Sequence, residues 1–376
     1  MRHENAIQQI NGEKRRNSSF ELLRVLAMLS IVSGHFAIHG GFSFPAALIS
    51  IPRIWCDILE FNSNIGVDVF ILITGFYLIR DERLLNIRKI LKFWGQVFFY
   101  SSLIFLVFLF TGHRGLSLTR LYRAILPITS GSWWFVSMYF ALFLIHPFLN
   151  VLIRGLRKSG LQKMLLLLLL ITSVLPTLTN AYFIANRLLW FMTLYCTAAY
   201  ISLYGIGREP QKWKLLLIGG ASALARFLSS VILMLIGTKI PAVSSHATYF
   251  YGVQSVLTFL CAVCVFLIFQ NLKPRYHKWI NILASATFGV YLIHDHYAVR
   301  PFLWKTLFRN ASYQNTALLI PYSLAVITLV YVVCTGFELL RIWLIERPYM
   351  KLVDRVSPPL TGLCRSVVRK VAKLLK

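Results

Sequence analysis

Residues 20–42 read FELLRVLAMLSIVSGHFAIHGGF, an apolar stretch long enough to cross a bilayer that carries two ionisable residues, Arg24 and His35. Eleven positions along a helix correspond to about three turns plus 20° and a rise of about 16.5 Å, so the two side chains share one face. The hydrocarbon core of a bilayer is about 30 Å thick, and the pair covers roughly half of it. Because ionisable groups inside a membrane are unfavourable unless they face a protein interior, this stretch indicates a membrane protein with a functional site along its first helix.

The composition of the whole chain supports this interpretation. The 376 residues are 57% hydrophobic and only 14% charged, and the mean hydropathy is +0.66. These values are typical of a polytopic membrane protein. The net charge of +26 would suggest a nucleic-acid partner in a soluble protein. Here the basic residues lie in short segments between apolar runs, so the lipid bilayer is the expected partner and nucleic acid is not.

Ten apolar runs of spanning length divide the chain, and Lys and Arg are distributed unequally between the segments that separate them. With the N-terminus inside, internal segments carry 27 Lys and Arg and external segments carry nine. This bias predicts that both termini are cytoplasmic. The runs lie at about residues 20–39, 62–79, 93–111, 133–150, 164–180, 188–204, 215–236, 249–269, 279–297 and 317–345.

We therefore predict an all-α integral membrane protein with about ten transmembrane helices. Residues 1–19 form its cytoplasmic N-terminal segment, and residues 20–350 form the membrane domain. Residues 351–376 form a basic amphipathic cytoplasmic tail that lies on the anionic inner leaflet. Pro348, in the sequence IERPYMK, is expected to mark the exit from the last spanning helix.

Several polar residues within the runs could carry chemistry, and each has a second interpretation. His35 could act as a buried general base or simply be a packed, hydrogen-bonded histidine. Arg24 could hold a phosphate or carboxylate, or it could extend to the headgroups or pair with Glu21. Asp68 in the second run should face the protein interior. His39 follows one turn after His35, where we favour a position at the water interface.

The remaining polar groups occur near the ends of other runs. The third run begins with a basic cluster, Arg88, Lys89 and Lys92. Either the positive-inside bias or the binding of an anionic ligand explains this cluster. Trp133 and Trp134 are typical of an aromatic belt. The other groups are His294, Asp295 and His296 in the ninth run, and Glu338 with Arg341, a predicted ion pair, in the tenth.

Other kinds of site find little support in the sequence. Cys261 and Cys264 form the only CxxC, and it lies in an apolar run without a second ligand pair, so we interpret both as packed residues. His294 and His296 are two positions apart and fall on different helix faces, which does not favour a metal site. The chain has no G-x-S-x-G, Walker A or HExxH motif. We expect no metal and no permanently bound cofactor.

The order of several motifs resembles that of the membrane-bound acyltransferase-3 family over about residues 18–350. The motifs are an Arg and a His with ten residues between them in the first run, GVDVF and TGF in the second, a basic opening of the third, SWWFVSMYFALFLIHPFLN, GVYLIH and ERP. The segment at 132–150 looks most like that of bacterial members that O-acetylate envelope polysaccharides. The chain departs from the family at Thr74, where a Ser is usual, and at Ser132, where many relatives have His.

The resemblance implies a ten-span helical enzyme of the bacterial inner membrane, with acetyl-CoA or another acyl-CoA as donor and a glycan or lipid-linked sugar as acceptor. It implies that His35 is catalytic and that Arg24, Arg88 and Lys89 bind the donor. Asp68, as part of the catalytic centre, or His294 could orient the imidazole or the acceptor sugar. Thr74, Trp134, His294 and Glu338 could support the acceptor or the structure. A transporter or flippase of glycan precursors, and a non-catalytic scaffold in which His35 only packs, are alternatives. The oligomeric state stays open.

Overall fold

The computed structural model describes residues 7–10, 13–45, 49–81, 86–113, 115–179, 186–206, 211–244, 246–273 and 275–374. Apart from connecting turns and loops and a hairpin ahead of the first helix, this part of the protein is helical. In the hairpin, β1 (Ile7–Ile10) pairs antiparallel with β2 (Glu13–Arg16). The predicted all-α membrane fold is confirmed.

Fifteen helical segments follow in chain order within the described residues. Three further segments have π-helical hydrogen bonding and interrupt or extend the α-helices. They are Leu170–Val174, Phe302–Leu307 and Ile342–Glu346. Short 3₁₀ turns lie at Tyr249–Tyr251 and Asn310–Tyr313. The α-helices are α1 (Ser18–His39), α2 (Ile51–Leu78), α3 (Ile87–Phe110), α4 (Leu118–Ile125), α5 (Trp134–Gly155), α6 (Lys158–Leu169), α7 (Leu175–Thr179), α8 (Arg187–Tyr204), α9 (Lys212–Gly237), α10 (Pro241–Ser244), α11 (Val256–Gln270), α12 (Lys278–His294), α13 (Val299–Pro301), α14 (Leu319–Arg341) and α15 (Arg347–Leu374).

Eight helical stretches in the described part of the chain are long and apolar enough to cross a membrane. They are α1, α2, α3, α5, the stretch Lys158–Thr179, α9, the stretch Tyr249–Gln270, and the stretch that begins with α14. Two further helices, α8 with 18 residues and α12 with 17, coincide with predicted runs and pack in the same bundle. The count of ten spans and the cytoplasmic position of the termini stay predictions.

The first helix lies at the centre of the bundle and packs against α2, α11, α12 and α14. It starts at Ser18 because the side chain of Asn17 accepts a hydrogen bond from the backbone nitrogen of Ser19 at 3.0 Å. Its closest neighbour is α2, and glycines allow the approach. A Cβ on Gly34 would lie 2.2 Å from Ser63 Cβ, and one on Gly66 would lie 2.6 Å from the backbone oxygen of Ala27. Small residues at such contacts let membrane helices pack backbone against backbone.

The last spanning helix does not end at Pro348, so that prediction is wrong. The helical chain continues from α14 through the π-helical segment Ile342–Glu346 into α15. Proline lacks a backbone N–H and is tolerated in the first turn of a helical segment, where no i−4 bond is required of it. Pro348 is the second residue of α15, directly after the π-helical segment. The predicted tail from residue 351 is therefore the continuation of this helix, and its side chains from residue 363 lie outside the described residues.

Candidate active site

His35 lies near the C-terminal end of α1, where the end of α12 meets it. The side chain is 13% exposed, and its Nδ1 lies 2.9 Å from Nε2 of His294, the last residue of α12. The approach joins residues 259 positions apart in the chain. Since α1 and α12 pack directly against each other, the two imidazoles meet at one end of the bundle, called here the His35 end.

The hydrogen bonds of this pair assign the tautomer of both rings. Nδ1 of His294 lies 2.6 Å from the backbone oxygen of Val290, and a carbonyl oxygen can only accept, so this nitrogen carries the proton. A neutral His294 then accepts through Nε2, and His35 donates through Nδ1. The lone pair of His35 is consequently on Nε2, to which no described residue donates. A neutral imidazole in this state is suited to accept a proton.

A buried carboxylate lies beside the pair. Asp295 caps the end of α12 and is 2% exposed, and its Oδ1 lies 3.3 Å from His35 Nδ1 and 3.8 Å from His39 Nε2. Arg300 Nε lies 3.2 Å from the same oxygen, so the carboxylate is balanced by a cation. A carboxylate next to the protonated nitrogen of an imidazole holds the ring in place and stabilises the imidazolium that forms when it takes up a second proton.

A polar cavity of about 570 Å³ opens at His35. Its wall combines aromatic rings with hydrogen-bonding side chains, a lining suited to a polar ligand with an apolar face. The guanidinium of Arg187 lies 4.3 Å from the centre of the Trp134 ring in this wall. The lining includes His35, His39, Glu60, Asn64, Trp134, Arg187, His246, Tyr249, Tyr251, Gln254, Asp295 and Arg300.

Of the two residues expected to orient the imidazole or the acceptor sugar, His294 contacts His35, whereas Asp68 lies elsewhere. It is fully buried on α2 and accepts a hydrogen bond from Trp190 Nε1 of α8 at 2.9 Å. The carboxylate that the structure brings to His35 is that of Asp295. His39, expected at the water interface, is partly buried and faces Asp295. The run HDH at 294–296 was the signal for this cluster, but only the packing of α12 against α1 shows which members face His35.

The third member of that run has a different environment. His296 is 1% exposed; its Nδ1 accepts from the backbone nitrogen of Ala298 at 3.1 Å, and its ring lies edge-on to Trp133. One cluster of possible metal ligands does exist in the described residues, since donor atoms of His35, His39 and Asp295 lie within 4.8 Å of one another. Arg300 occupies the cation position next to Asp295. A metal-free centre therefore stays our prediction.

The basic residues predicted to bind the donor each lie beside an acidic neighbour. Arg24 NH1 lies 2.9 Å from Glu21 Oε1, one turn earlier on α1. Arg88 pairs with Asp354 of α15 at 2.6 Å, and Lys89 pairs with Asp81 at 3.1 Å. These pairs lie at or near the end of the bundle opposite His35. The structure does not collect the three basic residues in one described cavity.

The remaining predicted positions have mainly structural contacts. Thr74 Oγ1 donates to the backbone oxygen of Phe70 at 2.9 Å and lies 3.4 Å from Tyr139 Oη. Glu338 is 1% exposed and forms the predicted ion pair with Arg341, with two contacts of 2.8 Å. Gln96 and Tyr100 of α3 also donate to this carboxylate. Glu338 therefore joins α14 to α3. Trp134 differs from these positions, because it lines the cavity at His35.

Comparison with known proteins agrees with this arrangement. A family model described as an acyltransferase domain, acyltransferase 3, matches residues 17–337, a range that contains every residue around His35. The chain belongs to the acyltransferase-3 family. No curated protein and no solved structure showed a significant match. The protein is thus a multi-pass membrane acyltransferase, and the transporter interpretation receives no support.

Proposed function

We propose that this protein is an O-acyltransferase of the bacterial inner membrane. It moves an acyl group, in the simplest case acetyl, from cytoplasmic acyl-CoA to a hydroxyl of a cell-envelope or exported polysaccharide. The observation that carries the proposal is His35, a cavity-lining residue whose Nδ1 donates to His294 and whose Nε2 is left with a lone pair. That is the protonation state which a general base for a hydroxyl requires.

The chemistry follows from this state. Nε2 of His35 takes the proton of the acceptor hydroxyl as its oxygen attacks the thioester carbonyl. The tetrahedral intermediate collapses, the C–S bond breaks, and the proton passes from His35 to the leaving sulfur. Asp295, 3.3 Å from Nδ1, stabilises the imidazolium between these two steps. A variant route, in which His35 carries the acyl group transiently, uses the same nitrogen.

The acyl donor is proposed to bind at the opposite end of the bundle. Arg24, Arg88 and Lys89 are the basic residues there that would hold the phosphates of CoA. Their present partners are carboxylates, and the Arg88 and Lys89 side chains are 54% and 43% exposed, so an incoming phosphate can exchange for the carboxylate at little cost. Arg24 and His35 are about 16.5 Å apart along α1, which separates phosphate binding from acyl transfer.

The space between the two ends contains a column of aromatic rings. Phe93 stacks on Phe288 and Tyr139, with ring centres 5.0 and 5.6 Å apart. Phe135 lies between Tyr139 and Tyr291, and Tyr291 in turn lies next to His35. We propose that the thiol arm of the donor runs along this column. Apolar walls exclude water from a thioester on its way to the base.

The acceptor is proposed to occupy the cavity at His35. Asn64, Gln254 and Glu60 offer hydrogen-bonding groups for sugar hydroxyls, and Trp134 and Tyr249 offer flat apolar surfaces for a sugar ring. Its volume of about 570 Å³ has room for a sugar unit together with the acyl group it receives.

The decisive experiment compares His35→Gln with His113→Gln in cells that lack the native gene. His113 is an exposed histidine after α3, and among the described residues its side chain hydrogen-bonds to its neighbour Thr111 and contacts the rings of Phe108 and Phe302. It therefore controls for the loss of an imidazole away from the cavity. Acetyl groups per sugar on purified envelope polysaccharide are measured by mass spectrometry at equal expression. We expect the His35 variant to lose acetylation at least about 100-fold and the control to keep it. Wild-type acetylation in the His35 variant would refute the proposal.

A further inference from the structure

A second cavity of about 590 Å³ adjoins the first at the His35 end. The two share Ile38, His39 and Arg300 in their walls. A ligand held in the second cavity is therefore separated from the reaction centre by one layer of side chains. The other residues lining it are Gly41, Phe42, Tyr297, Pro301 and Lys305.

The second cavity has positive charge in its wall and no carboxylate. Arg300 and Lys305 contribute the cations, and none of its lining residues is acidic. The neighbouring acid is Asp295, which lines the first cavity and lies 3.2 Å from Arg300 Nε. Arg123 adds a third positive charge nearby, because its guanidinium lies 5.1 Å from the centre of the Tyr297 ring.

The position of Lys305 depends on a local feature of the chain. The α1 helix ends at His39, and the following Gly41 has a φ of +77°, a conformation that glycine adopts without strain. The aliphatic stem of Lys305 lies against this turn, with Cε 3.5 Å from the place of a Cβ on Gly41. Lysine stems commonly pack in this way while the ammonium stays in water. Lys305 has no ion-pair partner among the described residues.

We propose that the second cavity is an anion subsite and that the acceptor glycan carries a negative charge, a carboxylate or a phosphate, close to the hydroxyl that is acylated. This inference rests on the proposed function, because it identifies the class of acceptor. Three cations, Arg300, Lys305 and the nearby Arg123, face the single carboxylate of Asp295. This excess of positive charge next to a cavity that holds the reacting hydroxyl favours an acidic over a neutral sugar chain. Charge-assisted hydrogen bonds would also fix the register of the chain relative to His35.

Binding of matched oligosaccharides tests the proposal without requiring turnover. Full-length protein in nanodiscs of phosphatidylcholine, a zwitterionic lipid without net charge, is titrated with three oligomers of equal length: oligogalacturonate, poly(glycerol phosphate) and a neutral maltooligosaccharide. We expect at least one anionic oligomer to bind about tenfold more tightly than the neutral one, with an affinity that falls as salt rises. Which of the two anionic oligomers binds more tightly shows whether the subsite prefers a carboxylate or a phosphodiester. Equal affinity for all three overturns the proposal.

Variants of Lys305 locate the subsite. Lys305→Gln should reduce the preference for the anionic oligomer about fivefold, Lys305→Glu should abolish it, and Lys305→Arg should retain it. Lys239→Gln is the matched control, since Lys239 is an exposed cation at the same end and lines neither cavity. If Lys305→Gln and Lys239→Gln behave alike, the anion binds elsewhere and the proposal fails.

The His35→Gln variant separates this inference from the proposed function. It should keep the wild-type preference for the anionic over the neutral oligomer, because His35 does not line the second cavity. If that variant acetylates polysaccharide normally while Lys305 still determines anion binding, the catalytic proposal fails and the subsite stands. If it loses acetylation while Lys305→Gln binds both kinds of oligomer unchanged, the subsite fails and the catalytic proposal stands.

Discussion

Two neighbouring side chains favour the proton on Nδ1 of His35: His294, which accepts the hydrogen bond, and the carboxylate of Asp295, 3.3 Å away. Nε2 of His294 accepts a hydrogen bond from Nδ1 of His35, because the proton of His294 is on its Nδ1, which donates to the backbone oxygen of Val290. In His294→Phe a ring remains but the hydrogen-bond acceptor is lost, so only Asp295 still favours the proton on Nδ1. The population of His35 with its lone pair on Nε2, the state that can act as base in the cavity, should fall. We expect kcat for acyl transfer to fall about 10- to 100-fold while KM for both substrates changes little.

The conservative variant distinguishes positioning from packing. His294→Gln offers an amide oxygen that can accept from His35, and it should recover a large part of the lost kcat. Thermal unfolding of both variants in detergent serves as the control for stability. If His294→Phe keeps wild-type kcat, or if Gln and Phe are equally poor, His294 does not act through the His35 tautomer.

Arg24 has two interpretations that kinetics can separate. If it binds donor phosphate, Arg24→Gln should raise KM for acyl-CoA roughly tenfold, the effect of one charge-assisted hydrogen bond. Glu21→Gln removes the present partner of Arg24, 2.9 Å away, and should leave KM unchanged or lower it. Equal and small effects of the two substitutions would show that Arg24 only pairs with Glu21.

At the residue scale, the sequence predicts the isolated polar groups better than their partners. His35 and Arg24 are visible because each interrupts an apolar run, and Glu338 with Arg341 follows from their spacing on one helix. Asp295 and Arg300 join His35 only because α12 ends beside α1 and the chain then turns back through α13. No periodicity within a single element contains that information, so Asp68 was the expected carboxylate and Asp295 is the observed neighbour.

At the scale of elements, the contact between α1 and α2 depends on Gly66. A Cβ at this position would lie 2.6 Å from the Ala27 backbone oxygen and 2.5 Å from Ser30 Oγ. The backbone atom cannot rotate away, so Gly66→Ala must push the two helices apart. We expect a loss of about 1–3 kcal/mol in stability and reduced acyl transfer, because α1 carries His35. Thermal unfolding of purified protein measures the first effect.

Gly336 in α14 provides a matched control within a spanning helix. A Cβ there meets no atom within 4 Å, and alanine favours a helix over glycine by up to about 1 kcal/mol. Gly336→Ala should therefore be neutral or slightly stabilising. Similar unfolding temperatures for Gly66→Ala and Gly336→Ala would contradict the close packing of α1 on α2.

Hydropathy locates these elements but misplaces some of their ends. The predicted second run starts at residue 62, whereas α2 starts at Ile51 and includes Arg53, Asp57 and Glu60. A hydropathy average over a window assigns such charged residues to the aqueous loop before the helix. In the fold Arg53 is buried and donates to the backbone oxygen of Pro45 at 2.5 Å, so its charge does not end the helix. The π-helical segment before Pro348 is equally invisible to a hydropathy window.

At the scale of the whole molecule, the two groups of predicted site residues lie at different ends of one bundle. His35, His294 and Asp295 line or adjoin cavities at one end, whereas Arg88 and Lys89 open α3 at the other. Such separation is useful when donor and acceptor come from opposite sides of a membrane. The orientation of the bundle then decides which substrate arrives from which side.

A pair of reporter fusions determines that orientation. The excess of Lys and Arg predicts a cytoplasmic C-terminus, so green fluorescent protein fused after Lys376 should fluoresce and alkaline phosphatase at the same site should be inactive. Phosphatase inserted between the 3₁₀ turn Asn310–Tyr313 and α14, at the His35 end, should be active because that end would face outward. The reverse pattern would place the His35 cavities on the cytoplasmic side. The basic residues of α3 would then be outside, where no acyl-CoA is available, and the assignment of donor and acceptor to the two ends would have to be exchanged.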